Sequence, residues 1–420
     1  MTKEQSTKSV AGDADPIPEL FSRRWKKRIV IAAVFALILK LALAWFSPGT
    51  QDVRTFKSFS DVILSSGGLS LYHKPLAADA AFNYLPFMLR VTQSARFVSD
   101  WAHLPFAFCW RLLSIVADVG SALVLWKIVA ASDAERKRKI SPLAFLLYVG
   151  SPVVIWVSGF HGNTDPIMIF FLLLSLLLLQ RQQAAWLIGV AFGMSLNIKL
   201  MPLIFVPLFL IFLKQPRRRI EYSISVVATV FCAGLPYFLQ DTIFVSRRAF
   251  GYNGLYEIWG ISRLLRLLPS QWQTLDFLFM HGGRFLLLGA LLLCTLWMNR
   301  LRRKPDLLQQ CAVLLLLFLV LTPGFGVQYL AWLAPVILAL DLPAAATFYL
   351  VSGLYLSFNY TLFWIQYPLG TWPPLPLAQA LISTEIACWL SIVVLFLGET
   401  RRLARDNQLP QLAELGVSAA

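Results

Sequence analysis

The sequence predicts an all-α integral membrane protein with about twelve transmembrane helices and a long first extracytoplasmic loop that carries amphipathic helices. Of its 420 residues, 58% are hydrophobic and only 14% are charged. An average soluble chain carries about a quarter charged residues, so a water-soluble fold is disfavoured. The apolar residues also gather in long runs, many of them near the ~20 residues needed to cross a hydrocarbon core.

The chain is organised as one polytopic membrane domain, residues 29–397, between polar tails at residues 1–28 and 398–420. The segments 47–103 and 241–283 are predicted to form long extracytoplasmic loops. The remaining sequence leaves no room for a large soluble domain. The predicted spans are 29–46, 104–130, 142–158, 166–180, 184–198, 201–213, 223–240, 284–298, 307–322, 329–341, 344–364 and 377–397.

The positive charge orients these spans. A net charge of +15 would suggest nucleic-acid binding in a soluble protein. Here the Lys and Arg residues cluster between apolar runs, so no nucleic-acid partner is predicted. Such clusters stay in the cytoplasm, which places both termini there. The clusters are Arg23–Arg28, Arg136–Lys139, Lys214 with Arg217–Arg219, Arg300 with Arg302–Lys304, and Arg401, Arg402 and Arg405.

The first long loop holds a candidate catalytic residue and an amphipathic pattern. Asp52, in Pro-Gly-Thr-Gln-Asp-Val-Arg, is the first carboxylate after the first span. A carboxylate at the outer surface can take a proton from an incoming hydroxyl; the alternative is a solvated turn residue. Farther along, Phe56, Phe59 and Ile63 share a helical face, which predicts a short amphipathic helix lying on the membrane.

A polar segment, Ser-Gly-Phe-His-Gly-Asn-Thr-Asp-Pro at residues 158–166, joins two strongly apolar runs on the outer side. Asp165 precedes a proline and has the residue type of a helix N-cap, so capping competes with binding as its role. His161 and Asn163 have no such structural explanation. They are the better candidates for binding a sugar or a phosphate.

Three cations on the predicted outer side are candidates for anion binding. Lys199, in Asn-Ile-Lys-Leu-Met-Pro, lies beside the start of the next apolar run. A lysine at a helix N-terminus favours phosphate, although a lysine can also snorkel to the interface. Arg247 and Arg248 lie outside against the positive-inside rule. Either an anionic ligand or acidic lipid head groups would explain their position.

Two further pairs of residues lie in or beside predicted spans. Arg111 and Asp118 lie seven residues apart within the second span, where charges are costly and need partners. A structural polar role is favoured for them over catalysis. Gln328 and Tyr329 end the irregular sequence Pro-Gly-Phe-Gly-Val-Gln-Tyr. They are candidates for sugar binding or for holding the start of the next helix.

Several catalytic signatures are missing from the sequence. It has no Gly-Lys-Ser/Thr phosphate loop, no His-Glu-x-x-His motif and no Gly-x-Gly-x-x-Gly after a strand. Nucleotide handling by a known motif has no support, and no cofactor is predicted.

Taken together, these segments resemble the polytopic, lipid-phosphate-dependent glycosyltransferases of the GT-C superfamily, in their mannosyltransferase-like branches. The features that carry the resemblance follow one another over about residues 25–400. They are Asp52 at the head of a long loop, the charged pair in the second span, and the three motifs Gly-Phe-His-Gly-Asn-Thr-Asp-Pro, Asn-Ile-Lys-Leu-Met-Pro and Pro-Gly-Phe-Gly-Val-Gln-Tyr.

The resemblance implies an inverting transfer of a hexose, with mannose expected, from a polyprenyl-phosphate-linked donor to a glycan or glycolipid acceptor. It implies that Asp52 is the base and that the reaction takes place outside the cytoplasm, with a bacterial inner membrane as the expected location. Lys199 and the Arg247–Arg248 pair would stabilise the leaving phosphate. Some relatives carry paired acids in this loop. Here the neighbours of Asp52 are Gln51 and Val53, so no metal is predicted.

A secondary transporter with a similar number of spans is the main alternative. Transporters place substrate groups at the midplane between repeated halves. The polar clusters of this sequence lie mostly at the outer edge, and no internal repeat is visible. A catalytically inactive scaffold of the same fold is the third possibility.

Overall fold

The computed structural model describes residues 21–73, 81–132, 140–251, 254–366 and 373–414. Within these ranges all regular elements are helical, apart from one antiparallel bridge between Leu255 and Phe325. The amino-terminal part contains α1 (Arg23–Phe46), α2 (Gln51–Ser66), α3 (Ser70–His73), α4 (Phe87–Trp101), α5 (Phe106–Ala130), α6 (Pro142–Val149) and α7 (Pro152–Ile155), followed by a π-helical turn (Trp156–His161).

The middle of the chain contains α8 (Asp165–Gln180), α9 (Ala185–Ile198), a 3-10 turn (Met201–Phe205) that leads into α10 (Val206–Phe212), α11 (Pro216–Phe250), α12 (Gly260–Leu267), a second 3-10 turn (Ser270–Trp272) and α13 (Gln273–Arg300). The carboxy-terminal part contains α14 (Leu307–Leu321), a 3-10 turn (Val327–Tyr329), α15 (Leu330–Ile337), α16 (Leu342–Asn359), a π-helical turn (Tyr360–Gln366) and α17 (Leu375–Glu414).

The apolar helices fall into a longer group and a shorter group. Among the described residues, 6 helical units are long and apolar enough to cross a membrane: α1, α5, Pro142–His161, α11, α13 and most of α17. The apolar helices α8, α9 and α14 are shorter than the ~20 residues that cross a hydrocarbon core without help. Two of the short apolar helices, α14 and α15, are buried along most of their length, so other helices surround them. A multi-pass membrane protein is therefore supported, and the count of about twelve spans stays a prediction.

Several helices extend beyond the predicted apolar runs. α1 begins at Arg23, so the basic cluster occupies its first turns. α11 continues to Phe250 with a break at Asp241, whose Oδ1 accepts a hydrogen bond from the backbone N–H of Phe244 at 3.1 Å. α17 continues to Glu414, through part of the predicted tail. The predicted cytoplasmic cluster Arg136–Lys139 lies outside the described residues.

The predicted amphipathic helix is present as α2, and its apolar face packs against protein; its position relative to the membrane stays a prediction. Phe56, Phe59 and Ile63 are buried, and the ring of Phe56 lies 4.1 Å from that of Trp110 on α5. α4, itself amphipathic, covers the rest of this face. An amphipathic pattern alone does not say which apolar surface a helix will meet.

Contacts between loops join segments that the sequence assigns to the same side of the membrane. On the predicted outer side, His73 Nε2 lies 3.0 Å from Asp241 Oδ2. Leu255 and Phe325 exchange backbone hydrogen bonds there. The corresponding contacts on the predicted cytoplasmic side are Arg218 with Gln182, Arg303 with Asn407, and Arg402 with Asp341.

Cysteine labelling tests this sidedness. In a variant without the native cysteines, Ser65→Cys on the exposed end of α2 is expected to react with a membrane-impermeant maleimide in intact cells. Lys214→Cys, in the exposed turn before α11, is expected to react only after permeabilisation, because its basic neighbours hold that turn in the cytoplasm. Labelling of Lys214→Cys in intact cells would contradict the topology and the placement of the site.

Candidate active site

The polar segment 158–166 forms the centre of the candidate site, and its backbone is held by neighbouring helices. Trp110 Nε1, on α5, donates to the carbonyl oxygen of Gly162 at 2.7 Å. Thr50 Oγ1, at the start of α2, donates to the carbonyl oxygen of His161 at 2.7 Å. Because buried irregular backbone needs partners for its polar groups, these contacts fix the segment. The side chains of His161 and Asn163 are then directed toward α2.

Gly162 allows α2 to approach this closely. Its φ is +78°, a left-handed conformation that glycine adopts without steric cost. A Cβ at this position would lie 2.2 Å from Cγ2 of Val53, in the first turn of α2. Any side chain here would push away the turn that carries Asp52.

The structure brings Asp52, His161 and Asn163 together. Asp52 Oδ2 accepts a short hydrogen bond from Asn163 Nδ2 and lies 3.1 Å from His161 Nε2. The backbone N–H of Thr164 donates to Asn163 Oδ1 at 2.6 Å, which sets the orientation of the amide. Within the described residues both recorded contacts of the carboxylate go to Oδ2, leaving Oδ1 for an incoming group. The Asp52 side chain is 36% exposed and that of His161 is 5% exposed, so the carboxylate is the accessible member.

The surroundings of Asp52 keep it ionised at neutral pH. Burial raises the pKa of the carboxyl group, but His161, Lys199 and Asn163 together lower it by more. The resulting pKa lies below the ordinary value of 3.8. No group of three His, Cys, Asp or Glu side chains in the described part of the chain is arranged to hold a metal ion.

Tyr360 is a member of this cluster that the sequence reasoning missed. Its hydroxyl oxygen lies 2.7 Å from His161 Nδ1, on the side of the ring opposite Asp52. The two residues are 199 positions apart, and Tyr360 lies within an apolar run. No feature of the sequence distinguishes it from a buried core tyrosine.

A second cluster forms around Asp165 at the start of α8. Lys199 Nζ lies 3.0 and 2.8 Å from the two carboxylate oxygens of Asp165. Trp332 Nε1 also donates to Asp165 Oδ1. The N-cap position is occupied by Thr164, so the expectation that Asp165 caps this helix is wrong. Its carboxylate instead holds Lys199, which the structure places at the end of α9.

Tyr329 belongs to the same cluster. Its ring stacks on that of Trp332 at 3.9 Å, with 22° between the planes. Lys199 Nζ lies 5.9 Å from the centre of the Tyr329 ring. Gln328 is buried in the same 3-10 turn. The structure thus joins Lys199, Asp165 and Tyr329, which the sequence suggested separately, and adds Trp332.

Arg247 and Arg248 lie elsewhere, in the last turn of α11. Arg248 Nε donates to the backbone oxygen of Tyr72 on α3 at 3.3 Å, and Arg247 is exposed. The recorded contacts of the described residues do not connect this pair with Asp52.

Arg111 and Asp118 each have their own partners among the described residues. Arg111 donates to the backbone oxygens of Ala44 and Ser47 at 2.8 and 2.6 Å, and so binds the free carbonyls at the end of α1. Asp118 pairs with Lys40 in the last third of α1. Both residues therefore have partners in α1, and a structural role for them stays a prediction.

Comparison with known proteins identifies the family. Residues 93–323, more than half of the chain, match glycosyltransferase family 87. A segment of 160 residues is 24% identical to GPI mannosyltransferase 1 of Candida albicans, and the alignment covers 38% of each chain. The family match includes His161, Asn163, Asp165 and Lys199, whereas Asp52 lies before it. It favours an enzyme over a transporter and confirms the resemblance to polytopic glycosyltransferases: the chain belongs to glycosyltransferase family 87.

Proposed function

We propose that this protein is a membrane hexosyltransferase that moves a sugar from a polyprenyl-phosphate-linked donor to a hydroxyl of a glycan or glycolipid acceptor, with inversion, on the extracytoplasmic side. The observation that carries the proposal is the Asp52 carboxylate, whose Oδ2 is held by His161 and Asn163 while the group stays partly exposed. A fixed, ionised and accessible carboxylate is what a general base requires.

The chemistry follows from this arrangement. The acceptor hydroxyl oxygen attacks C1 of the donor sugar, and its proton passes to Asp52 Oδ1. The bond between C1 and the phosphate oxygen breaks, and the lipid phosphate leaves with the electron pair. A single displacement of this kind inverts the configuration at C1. We propose that the carboxylate acts as the base without a metal ion, since no second acid stands beside Asp52 in the sequence.

Lys199 is the proposed partner of the leaving phosphate. Its positive charge helps to lower the pKa of Asp52, so it acts on the site that holds the proposed base. Asp165 and Trp332 hold the lysine in place, and a fixed ammonium stabilises developing negative charge better than a mobile one. Arg247 and Arg248 lie on another helix. They are proposed to bind the phosphate of the donor before the donor enters the site, or to bind acidic lipid head groups.

Mannose is the proposed sugar, since the aligned fungal protein is named as a mannosyltransferase. The proposed location is a bacterial inner membrane, with both termini cytoplasmic. The basic clusters support this orientation, and the same-side loop contacts agree with it.

A comparison of lipid-linked and nucleotide-linked sugar donors tests the proposed transfer reaction. Purified protein with a glycolipid acceptor is expected to transfer labelled mannose from polyprenyl phosphate mannose. It is expected to transfer none from GDP-mannose when no polyprenyl phosphate is present. Polyprenyl phosphate glucose is the matched control for the sugar, and the Asp52→Asn protein is the control for the enzyme. Transfer from the nucleotide sugar alone would contradict the proposed donor class.

The pH dependence of kcat/KM tests the environment of the base. The pKa of Asp52 lies below 3.8, so the wild-type protein is expected to lose transfer only on acidification below that value. His161→Phe removes a hydrogen bond to the carboxylate and leaves burial as the largest influence, which raises the pKa. The acid limb is therefore expected to move to higher pH. His281 is exposed and bonded to the carbonyl oxygen of Phe277, and His281→Phe is expected to keep the wild-type pH profile. An unchanged acid limb of kcat/KM in His161→Phe would contradict the assignment of Asp52 as the base.

A further inference from the structure

Two π-helical turns meet at His161. One turn, Trp156–His161, ends on the histidine itself, and the other, Tyr360–Gln366, begins with the tyrosine that contacts it. π-Helical turns are rare and are concentrated at functional sites. Here they bring the Tyr360 hydroxyl within 2.7 Å of Nδ1, while Nε2 of the same ring lies 3.1 Å from Asp52 Oδ2. The imidazole therefore links the tyrosine to the carboxylate.

The ring of Tyr360 lies in an aromatic pocket. The rings of Trp156 and Phe160 each lie 5.5 Å from it, and Trp156 is itself fixed by a hydrogen bond of 2.9 Å from Nε1 to Ser357 Oγ. Tyr360 is fully buried. Among the described residues, His161 is the recorded hydrogen-bond partner of its hydroxyl group.

The positions of the hydrogens follow from these contacts. An ionised carboxylate accepts hydrogen bonds only, so His161 Nε2 must carry the hydrogen that faces Asp52. In a neutral imidazole Nδ1 is then an acceptor, and the phenol donates to it. An imidazolium ring would donate from both nitrogens. The phenolic hydrogen would then point at aromatic rings, and a buried donor without a partner is costly.

We propose that Tyr360 is a positioning residue for the transfer reaction, in which its hydroxyl group holds His161 as the neutral Nε2–H tautomer that orients Asp52. The catalytic part of this proposal rests on the proposed function, whereas the tautomer does not. A neutral ring fixes Oδ2 and leaves Oδ1 for the acceptor.

The other charged groups around this linkage come from three helices. Asp165 at the start of α8 is neutralised by Lys199. Arg111 on α5 reaches the carbonyl oxygen of Phe160 at 3.5 Å. Asp52 therefore remains the charged group in direct contact with the imidazole, and Tyr360 is the group that faces the other nitrogen.

Nitrogen NMR of histidine-labelled protein in lipid tests the tautomer without substrate. The chain has 4 histidines, and loss of one signal in His161→Phe assigns the resonance. In the wild-type protein at neutral pH, His161 is expected to show a single neutral Nε2–H form. In Tyr360→Phe it is expected to show a mixture of the two neutral tautomers, because Nδ1 has lost its donor. Tyr349→Phe removes a different buried hydroxyl, on α16, that donates to the backbone oxygen of Ala334 at 2.7 Å, and it is expected to leave the spectrum unchanged.

Kinetics test the positioning role. Tyr360→Phe is expected to lower kcat about tenfold, the effect of one hydrogen bond, with the donor KM unchanged. In a His161→Phe background the same change is expected to have no further effect, because the linkage is already broken. The proposal would be overturned if the His161 ring of the wild-type protein were charged or in the Nδ1–H form. It would also be overturned if Tyr360→Phe still lowered kcat tenfold in the His161→Phe background. Absence of transfer from every lipid-linked sugar would instead count against the proposed function, since the NMR result is independent of it.

Discussion

Asp52→Asn is expected to lower the turnover for sugar transfer about a hundred- to ten-thousandfold, the usual contribution of a general base. The amide keeps the shape of the carboxylate, and its oxygen can still accept from Asn163 and His161. What it loses is the ability to take a proton from the acceptor hydroxyl. Folding is therefore expected to be nearly unchanged, and the loss is expected in kcat.

Asp61→Asn is the matched control for this change. Asp61 lies on the same helix, is largely exposed, and contacts Arg96 at 2.6 Å. Surface ion pairs of this kind contribute about 0–1 kcal/mol, so both stability and turnover are expected to stay near wild type. Transfer of radiolabelled mannose by both purified variants measures the difference. If Asp52→Asn kept more than about a tenth of the turnover while Asp61→Asn lost it, another residue would have to be the base.

The membrane class and the order of the helices could be predicted from the sequence, because both depend on local composition. A run of apolar residues forms a helix in the bilayer whatever its partners are. Basic clusters indicate which ends face the cytoplasm. For the same reason His161 and Asn163 could be recognised as candidates, since a polar loop between two apolar runs is visible without a structure.

The partners of these residues could not be predicted in the same way. His161 meets Tyr360 and Asp165 meets Trp332, and each pair is separated by more than 160 residues. Such pairings depend on how the helices pack, which no local pattern encodes. Gly162 illustrates the point: its need to be glycine comes from Val53 on another helix.

The pairing of Lys40 with Asp118 could also have been predicted from the sequence. Lys40 is a single lysine inside the first apolar run, and Asp118 is a single aspartate inside the second. Isolated opposite charges within adjacent spans are expected to pair, because neither side chain is hydrated in the membrane. The structure pairs the two side chains, which are only 5% and 11% exposed.

Lys40→Met is expected to destabilise the protein by about 3–5 kcal/mol, because it leaves the Asp118 carboxylate buried without its partner. Methionine has nearly the volume of lysine, so the loss comes from the charge and not from a cavity. Reversible unfolding of the purified protein in mixed micelles with increasing SDS measures the change. Lys127→Met, a lysine in the last turn of α5, is the control for loss of one positive charge, and it is expected to change stability little.

The double variant Lys40→Met with Asp118→Val distinguishes a structural pair from a catalytic one. Two apolar side chains bury no charge, and replacing a buried ion pair in this way is often neutral or even stabilising. The double variant is therefore expected to recover most of the stability that Lys40→Met loses. It is also expected to recover sugar transfer, since the two side chains pair with each other, whereas the side-chain contacts of Asp52 go to His161 and Asn163. A double variant that folded as well as wild type but transferred no sugar would show that the charges take part in the reaction, and Asp118 would then have to be counted among the functional residues.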